Sequence, residues 1–220
     1  MESLYFKFNE KDLEIRDMEE ADFDKAIELF AEGEKYVYIS FRGVMHLLKK
    51  TKFLVPTVIL CGLVYAGSQS VFWTLGAFSL YCFMLYLLLT RMTNNYIKKE
   101  TKQDKKGLKE HLENMRCCYK LAVYKGDIVG SVCISEMKSK PLVAECRRLY
   151  VKKKFRGLGV GKKLLEIALA FSKKYRFKHV CLTTSALHNE ARQLYKKYGF
   201  KEEGLVANEL VTHNRMFLKF

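Results

Sequence analysis

No charged residue occurs between Phe53 and Leu89. As one helix this run would overrun the roughly 30 Å hydrocarbon core of a bilayer. Gly67-Ser68-Gln69-Ser70 interrupts it near the middle, so it reads as two segments, about Phe53–Ala66 and Val71–Leu89. The second is long enough to span, and the first lies near the lower limit of about 17 residues. Pro56 marks a candidate kink near the start of the first. Lys49, Lys50 and Lys52 precede the run; Arg91, Lys98, Lys99, Lys102, Lys105 and Lys106 follow it. Basic flanks on both sides predict that both ends face the cytosol, so the chain enters and returns. A helical hairpin does this without unpaired backbone in lipid. Length and all-round apolarity count against the alternative, a hairpin buried in a soluble core.

The rest of the chain must build a water-facing domain around this insert. At 220 residues one domain with an appendage is expected. The net charge of +15 calls for an anionic partner: nucleic acid, a membrane surface or a polyanionic cofactor. There is no RNP-like, zinc-finger or basic-zipper pattern, and the lysines gather around the apolar run and a glycine-rich turn, so nucleic acid is not expected. Cys61 and Cys82 lie in the apolar run, Cys117 and Cys118 are adjacent, and Cys133, Cys146 and Cys181 sit singly in strand-like stretches. With five scattered histidines, this predicts no metal, no structural disulfide and a reducing compartment. No secretory signal peptide is expected, because the first apolar run is short and followed by acids.

Leu13–Arg16 reads as a strand, and Glu19–Asp22 opens a helix carrying Phe23, Ile27 and Phe30 that Gly33 is expected to end. Asn94–Met115 is polar and helix-favouring. Tyr119–Tyr124 and Ile128–Ser135, joined by Lys125-Gly126-Asp127, form a hairpin signal. After a loop at Lys138–Pro141, strand Leu142–Val151 feeds the glycine turn and helix Lys162–Tyr175. A strand at His179–Thr184, a helix at Asn189–Tyr198 closed by Gly199, and strands at Phe200–Val206 and Glu209–Phe220 complete the chain. Hairpins plus one strand–helix–strand crossover predict an α/β (α+β) fold with a mixed, mainly antiparallel sheet, not a doubly wound parallel one.

The turn itself is Arg156-Gly157-Leu158-Gly159-Val160-Gly161. Glycines permit positive φ and close approach to a ligand, and a turn opening a helix presents free N–H groups to an anion. The Rossmann pattern is excluded because Gly161 falls one position early. The Walker pattern is excluded because Lys163 replaces the Mg²⁺-binding hydroxyl. A helix-entry turn without a ligand is the plainer alternative.

Taken with Arg147-Arg148-Leu149-Tyr150-Val151 before it and Asn189-Glu-Ala-Arg-Gln-Leu-Tyr195-Lys-Lys-Tyr-Gly-Phe200 after it, the turn resembles the pyrophosphate loop of the GNAT acetyltransferases, from Leu142 to Phe200. The apolar insert between the first helix and the second strand narrows the resemblance to the camello-like membrane members. That group includes cysteine S-conjugate N-acetyltransferases and N-acetylaspartate synthetase. The loop departs from that group in ending Gly-Val-Gly rather than Gly-Ile-Ala, and the 136–143 connection is shorter. The resemblance implies a first strand and helix in residues 1–50, a membrane hairpin in 51–92, and the rest of the catalytic domain in 93–220.

What the resemblance implies about the site is specific. Acetyl-CoA is the cosubstrate. Its pyrophosphate is gripped by backbone N–H groups from Leu158, Gly159, Val160 and Gly161 beyond Gly157, with Arg156, Lys162, Lys153 and Lys154 balancing charge. Its pantetheine arm runs along Leu149, Tyr150 and Val151, where one N–H holds the oxyanion, and Asn189 contacts the coenzyme. Tyr195 takes the general-acid position. Glu145 stands where histone-acetylating relatives carry a base; on an alternating strand it also shares a face with Arg147 and Leu149, so an ion pair with Arg147 is the other reading.

The implied function is acetyl transfer to the amine of a small amino-acid derivative such as a cysteine S-conjugate. The implied location is an endoplasmic reticulum membrane, with the domain facing the cytosol. Protein lysine acetylation and a catalytically silent CoA-binding scaffold remain open. The basic surface counts mildly against polycationic acceptors.

Overall fold

A computed structural model of the chain describes residues 8–137, 139–207 and 212–220. Seven strands form one sheet: β1 (Leu13–Asp17), β2 (Cys117–Tyr124), β3 (Asp127–Glu136), β4 (Val143–Val151), β5 (His179–Ser185), β6 (Lys201–Ala207) and β7 (Thr212–Lys219). Their order is β1-β2-β3-β4-β5-β7-β6. Among the described residues only β4 and β5 pair in parallel, and every other neighbour is antiparallel. The expected mixed sheet is therefore present. The expected last strand began at Glu209, and residues 208–211, like Lys138 in the expected loop, lie outside the described residues.

Helices α1 (Phe23–Tyr38), α2 (Phe41–Leu48), α3 (Thr51–Ser68) and α4 (Val71–Glu113) fall between β1 and β2; α5 (Val160–Lys174) and α6 (Asn189–Lys197) flank β5. Strand β2 is buried on both faces. Leu121 and Val123 join Phe23, Ala26 and Leu29 of α1, while Ala122 and Tyr124 join Leu164, Leu165 and Ala168 of α5. The β2–β3 turn uses positive φ at Lys125 (50°) and Gly126 (85°), the mirror-image turn whose twist suits a two-residue hairpin.

Three elements differ from the sequence expectation. Helix α1 does not stop at Gly33 but runs on to Tyr38. Gly33 is a point of close approach: a Cβ there would lie 2.6 Å from Cδ1 of Tyr150 on β4. Helix α2 was not expected. Ser40 caps it by accepting from the Gly43 amide at 3.2 Å, and Val44, Leu47 and Leu48 pack on Leu85 and Leu89 of α4. Finally, the second apolar segment and the polar stretch after it are one helix of 43 residues, about 65 Å at 1.5 Å per residue.

The apolar run itself behaves as expected. Two helices are joined at Gln69, which is left-handed at φ 49°. Tyr81 Oη of α4 donates to the Phe53 carbonyl of α3 at 3.1 Å, fastening one to the other. Strand β1 pairs with β2 across the insert, so both ends of the hairpin lie on the same side.

Candidate active site

Strands β4 and β5 pair only from Val143↔His179 to Glu145↔Cys181. Beyond that they part, and a cleft of about 1170 Å³ opens between them, running from the glycine turn to α1, α2 and α4. Just past the last pair, β4 carries a bulge against β3. Ser131 faces Tyr150 and Cys133 faces Arg147, so β4 carries one more residue than β3 over this interval. The extra residue is Arg148, at φ 56°, whose carbonyl accepts from Ser131 Oγ at 2.8 Å.

The bulge changes which residues share a face. Arg147, Arg148 and Tyr150 all turn towards α1 and α4, whereas Leu149 and Val151 pack with the α5 core. The expectation that Glu145, Arg147 and Leu149 point the same way therefore fails at Leu149, because the inserted residue shifts the alternation by one. Arg147 pairs with Glu100 of α4 at 3.0 Å, so its partner is that helix rather than Glu145.

Arg148 is the buried centre of a larger network. Its guanidinium donates to Glu100 at 2.7 Å and to Asp104 at 2.7 and 3.0 Å, and lies 4.3 Å from the Phe30 ring centroid. The two carboxylates hold its pKa above the ordinary arginine value despite the opposing effect of burial. The two acids that hold the bulge thus sit on the same helix that leaves the apolar hairpin.

The glycine turn is held by its flanks. Phe155 and Val160 are buried, while Gly157, Leu158 and Gly159 between them are exposed. Gly157 (φ 77°) and Gly159 (φ 84°) take the left-handed conformation that glycine adopts without strain, and Gly159 stands immediately before α5. The first α5 amide that bonds within the helix is Lys163, to the Gly159 carbonyl at 3.0 Å. The amides of Val160, Gly161 and Lys162 are thereby left for an outside acceptor. Arg156 Nε donates to the Val151 carbonyl at 3.0 Å, and the guanidinium lies 4.7 Å from the Tyr36 ring centroid.

Of the other residues expected in the site, Lys162 is exposed and lines the cleft, and Asn189 is exposed at the start of α6. Tyr195 lines the cleft from α6 with its ring buried 5.7 Å from that of Phe200, and burial pushes its hydroxyl pKa well up. Glu145 is half-buried on the cleft wall, in the part of β4 still paired with β5.

Sequence reasoning did not single out the carboxylates at the α1 and α4 end of the cleft. Glu34 of α1 is only 3% exposed and accepts a hydrogen bond from the Tyr150 hydroxyl. Burial pushes its carboxyl up to about 7, against the pull of Tyr150 and Arg148. The legible signal was a glutamate continuing the apolar stripe of Phe23, Ile27 and Phe30. Glu100 and Asp104, four apart in a lysine-rich run, were a second such signal. His188 also lines the cleft, beside Tyr38; burial, Arg156 and His213 lower its pKa to about 4.

Residues 84–200 match the acetyltransferase (GNAT) family. The chain belongs to this family. It is 30% identical over 197 residues to N-acetyltransferase 8F1 of Mus musculus, covering 86% of each chain. It is 27% identical over 206 residues to the N-acetylaspartate synthetase of Xenopus tropicalis, covering 91% of this chain and 74% of that one. Identity to the probable N-acetyltransferase camello of Xenopus tropicalis is 25% over 194 residues.

Among solved structures, a GNAT-family acetyltransferase of Staphylococcus aureus Mu50 superposes with a TM-score of 0.57 at 14% identity, covering 94% of this chain and 98% of that one. The PaiA N-acetyltransferase of Thermoplasma acidophilum, in complex with coenzyme A, gives 0.52 at 19% identity over 94% and 99%. Within the family the chain falls in the camello-like branch, and it is an acetyl-CoA-dependent N-acetyltransferase.

Proposed function

We propose that this acetyltransferase is anchored in a membrane by α3 and α4 and acetylates the amine of a small amino-acid derivative such as a cysteine S-conjugate. The observation that carries the acceptor class is the mixed charge at the acceptor end of the cleft. Glu34 and Glu100 line it together with Arg42 and Arg147. Carboxylates beside guanidiniums suit a zwitterion, whose ammonium and carboxylate need opposite partners. A lysine side chain on a polypeptide offers only the ammonium. In a thiol-release assay with acetyl-CoA, S-benzylcysteine or aspartate should be turned over at least tenfold faster than lysine peptides at equal concentration. The reverse order would select protein lysine acetylation.

At the other end, acetyl-CoA is read as lying across the glycine turn. Its pyrophosphate meets the free amides of Val160, Gly161 and Lys162 and the exposed backbone of Gly157, Leu158 and Gly159, near Arg156. Past the bulge, the edge of β4 at Leu149, Tyr150 and Val151 is no longer paired with β5. That edge can take the pantetheine arm as an added strand, with Asn189 beside it. Tyr195 is the acid that protonates the departing sulfur.

The membrane reading rests on α3 and α4. Leu63, Phe72, Trp73 and Leu80 are each more than 60% exposed, and only 6% of each apolar window is buried within the protein. Exposed apolar surface on that scale needs a covering, and the basic residues on both sides suit a cytosolic headgroup layer, as at an endoplasmic reticulum membrane. The protein should resist alkaline carbonate extraction. Leu63→Arg with Leu80→Arg, at about 2.5–3.5 kcal/mol per arginine near the bilayer centre, should release it to the soluble or aggregated fraction. Retention of the double variant in carbonate-washed membranes would refute the insertion.

A further inference from the structure

Acetyl transfer to an ammonium needs a group that takes its proton before the nitrogen can attack. Of the carboxylates and imidazoles lining the cleft, Glu100 is paired with Arg147 and Arg148, Glu190 is exposed on α6 and His213 meets the Tyr38 hydroxyl, which leaves Glu145, His188 and Glu34. Glu145 stands where β4 and β5 are still paired, short of the opening. His188, held near 4, would be a weak proton acceptor at neutral pH. Glu34 lies level with the bulge, where the strands have parted: it is bonded to the Tyr150 hydroxyl and faces the Arg148 guanidinium. Its surroundings are aromatic and closed. Tyr38 faces it from α1, Tyr150 and Arg148 from β4, and Tyr96 and Glu100 from α4. Gly33 beside it lets the Tyr150 ring lie against the α1 backbone, which sets the hydroxyl on the carboxylate.

We propose that Glu34 is the base that removes the acceptor's proton, with Tyr150 orienting its carboxylate towards the cleft. The acceptor ammonium gives one proton to the Glu34 carboxylate, and the freed lone pair attacks the thioester carbonyl to form the C–N bond. The carbonyl re-forms as the C–S bond breaks. The leaving sulfur takes the electron pair and the Tyr195 hydroxyl proton, and Tyr195 regains a proton from the new amide nitrogen. Glu34 then releases its proton to water, so each turnover yields the amide, the free thiol and one proton. A carboxyl held near 7 matches this task, because it is ionised often enough to accept a proton and basic enough to keep it through the attack.

The proposal rests on the acetyl-transfer reading of the cleft, and the test separates the two. The assay measures thiol release from acetyl-CoA with the best amine found for the wild type, as kcat and kcat/KM against pH, with acetyl-CoA binding followed by calorimetry. The wild type should show a one-proton rise near pH 7. Glu34→Gln keeps the shape of the side chain; it should lose at least a hundredfold in kcat and lose this limb, with acetyl-CoA affinity unchanged. Tyr150→Phe removes a bond that favours the ionised carboxylate, so its limb should move to higher pH. Glu145→Gln should retain the limb. The assignment is overturned if Glu34→Gln keeps both the limb and kcat within threefold, or if Glu145→Gln is the variant that loses the limb. Wild-type silence on every amine would bring down the acetyl-transfer reading along with it.

Discussion

Replacing Arg148 with Met is expected to destabilise the domain by about 3–5 kcal/mol, the cost of stranding a buried charge partner. The Arg148 side chain is 7% exposed, and Glu100 and Asp104 are 16% and 14% exposed. Water therefore cannot take over what the guanidinium did for them. For a domain of this size the loss corresponds to a fall in melting temperature of roughly 10 °C, measurable by scanning fluorimetry in detergent. Replacing all three together, as Arg148→Met, Glu100→Gln and Asp104→Asn, should recover much of the loss, because no buried charge is stranded and Arg147, which loses its Glu100 partner, is 30% exposed and can turn to water. A single variant within about 1 kcal/mol of wild type would show that the network does not hold the bulge as described. The same variant should weaken acetyl-CoA binding, since Arg148 is the bulge residue next to the β4 edge, Leu149 to Val151, that stands free of β5.

Tyr195→Phe should cut kcat by about 10²–10⁴-fold, the usual contribution of a positioned general acid, with acetyl-CoA affinity held within about twofold. The buried ring is unchanged by loss of the hydroxyl, so folding should not suffer. The sign of the pH effect follows from the direction of the shift. Burial raises the Tyr195 pKa above its ordinary value, so the proton to be donated is present throughout the neutral range and no falling limb from this group is expected there. Stopped-flow thiol release would separate the chemical step from product release. Near-wild-type single-turnover rates would remove Tyr195 from the chemistry and leave it as a packing residue of α6.

Much of the architecture was legible because its causes are local. A run without charge, broken by Gly-Ser-Gln-Ser, specifies two apolar helices and a reversal. The Lys-Gly-Asp turn, the glycines at 157 and 159 and the Gly199 cap each mark a left-handed or tight backbone step that few other residues accept. Alternation over β2 and β3, and the helical stripe of α5, identified those elements to within a few residues.

Gly33 shows where local reasoning stops. The same residue that ends one helix lets another ring approach the middle of this one, and the sequence does not distinguish a cap from a close contact.

The functional surroundings were less legible for a related reason. Strand β4 reads as regular because nothing in Arg147-Arg148-Leu149 announces a bulge. The left-handed backbone at Arg148 is maintained by Ser131 from β3 and by Glu100 and Asp104, more than forty residues earlier in the chain. Glu34 continues the apolar stripe of α1, but nothing local shows that a strand and a second helix close over it. The sequence alone determined that this chain carries a greasy hairpin, a mixed sheet and a glycine turn opening a helix, since each follows from the chemistry of adjacent residues. Only the tertiary structure decided where the sheet opens and which carboxylate is shielded at the opening. Strain and desolvation are imposed by distant neighbours, and neither exists until those neighbours have packed.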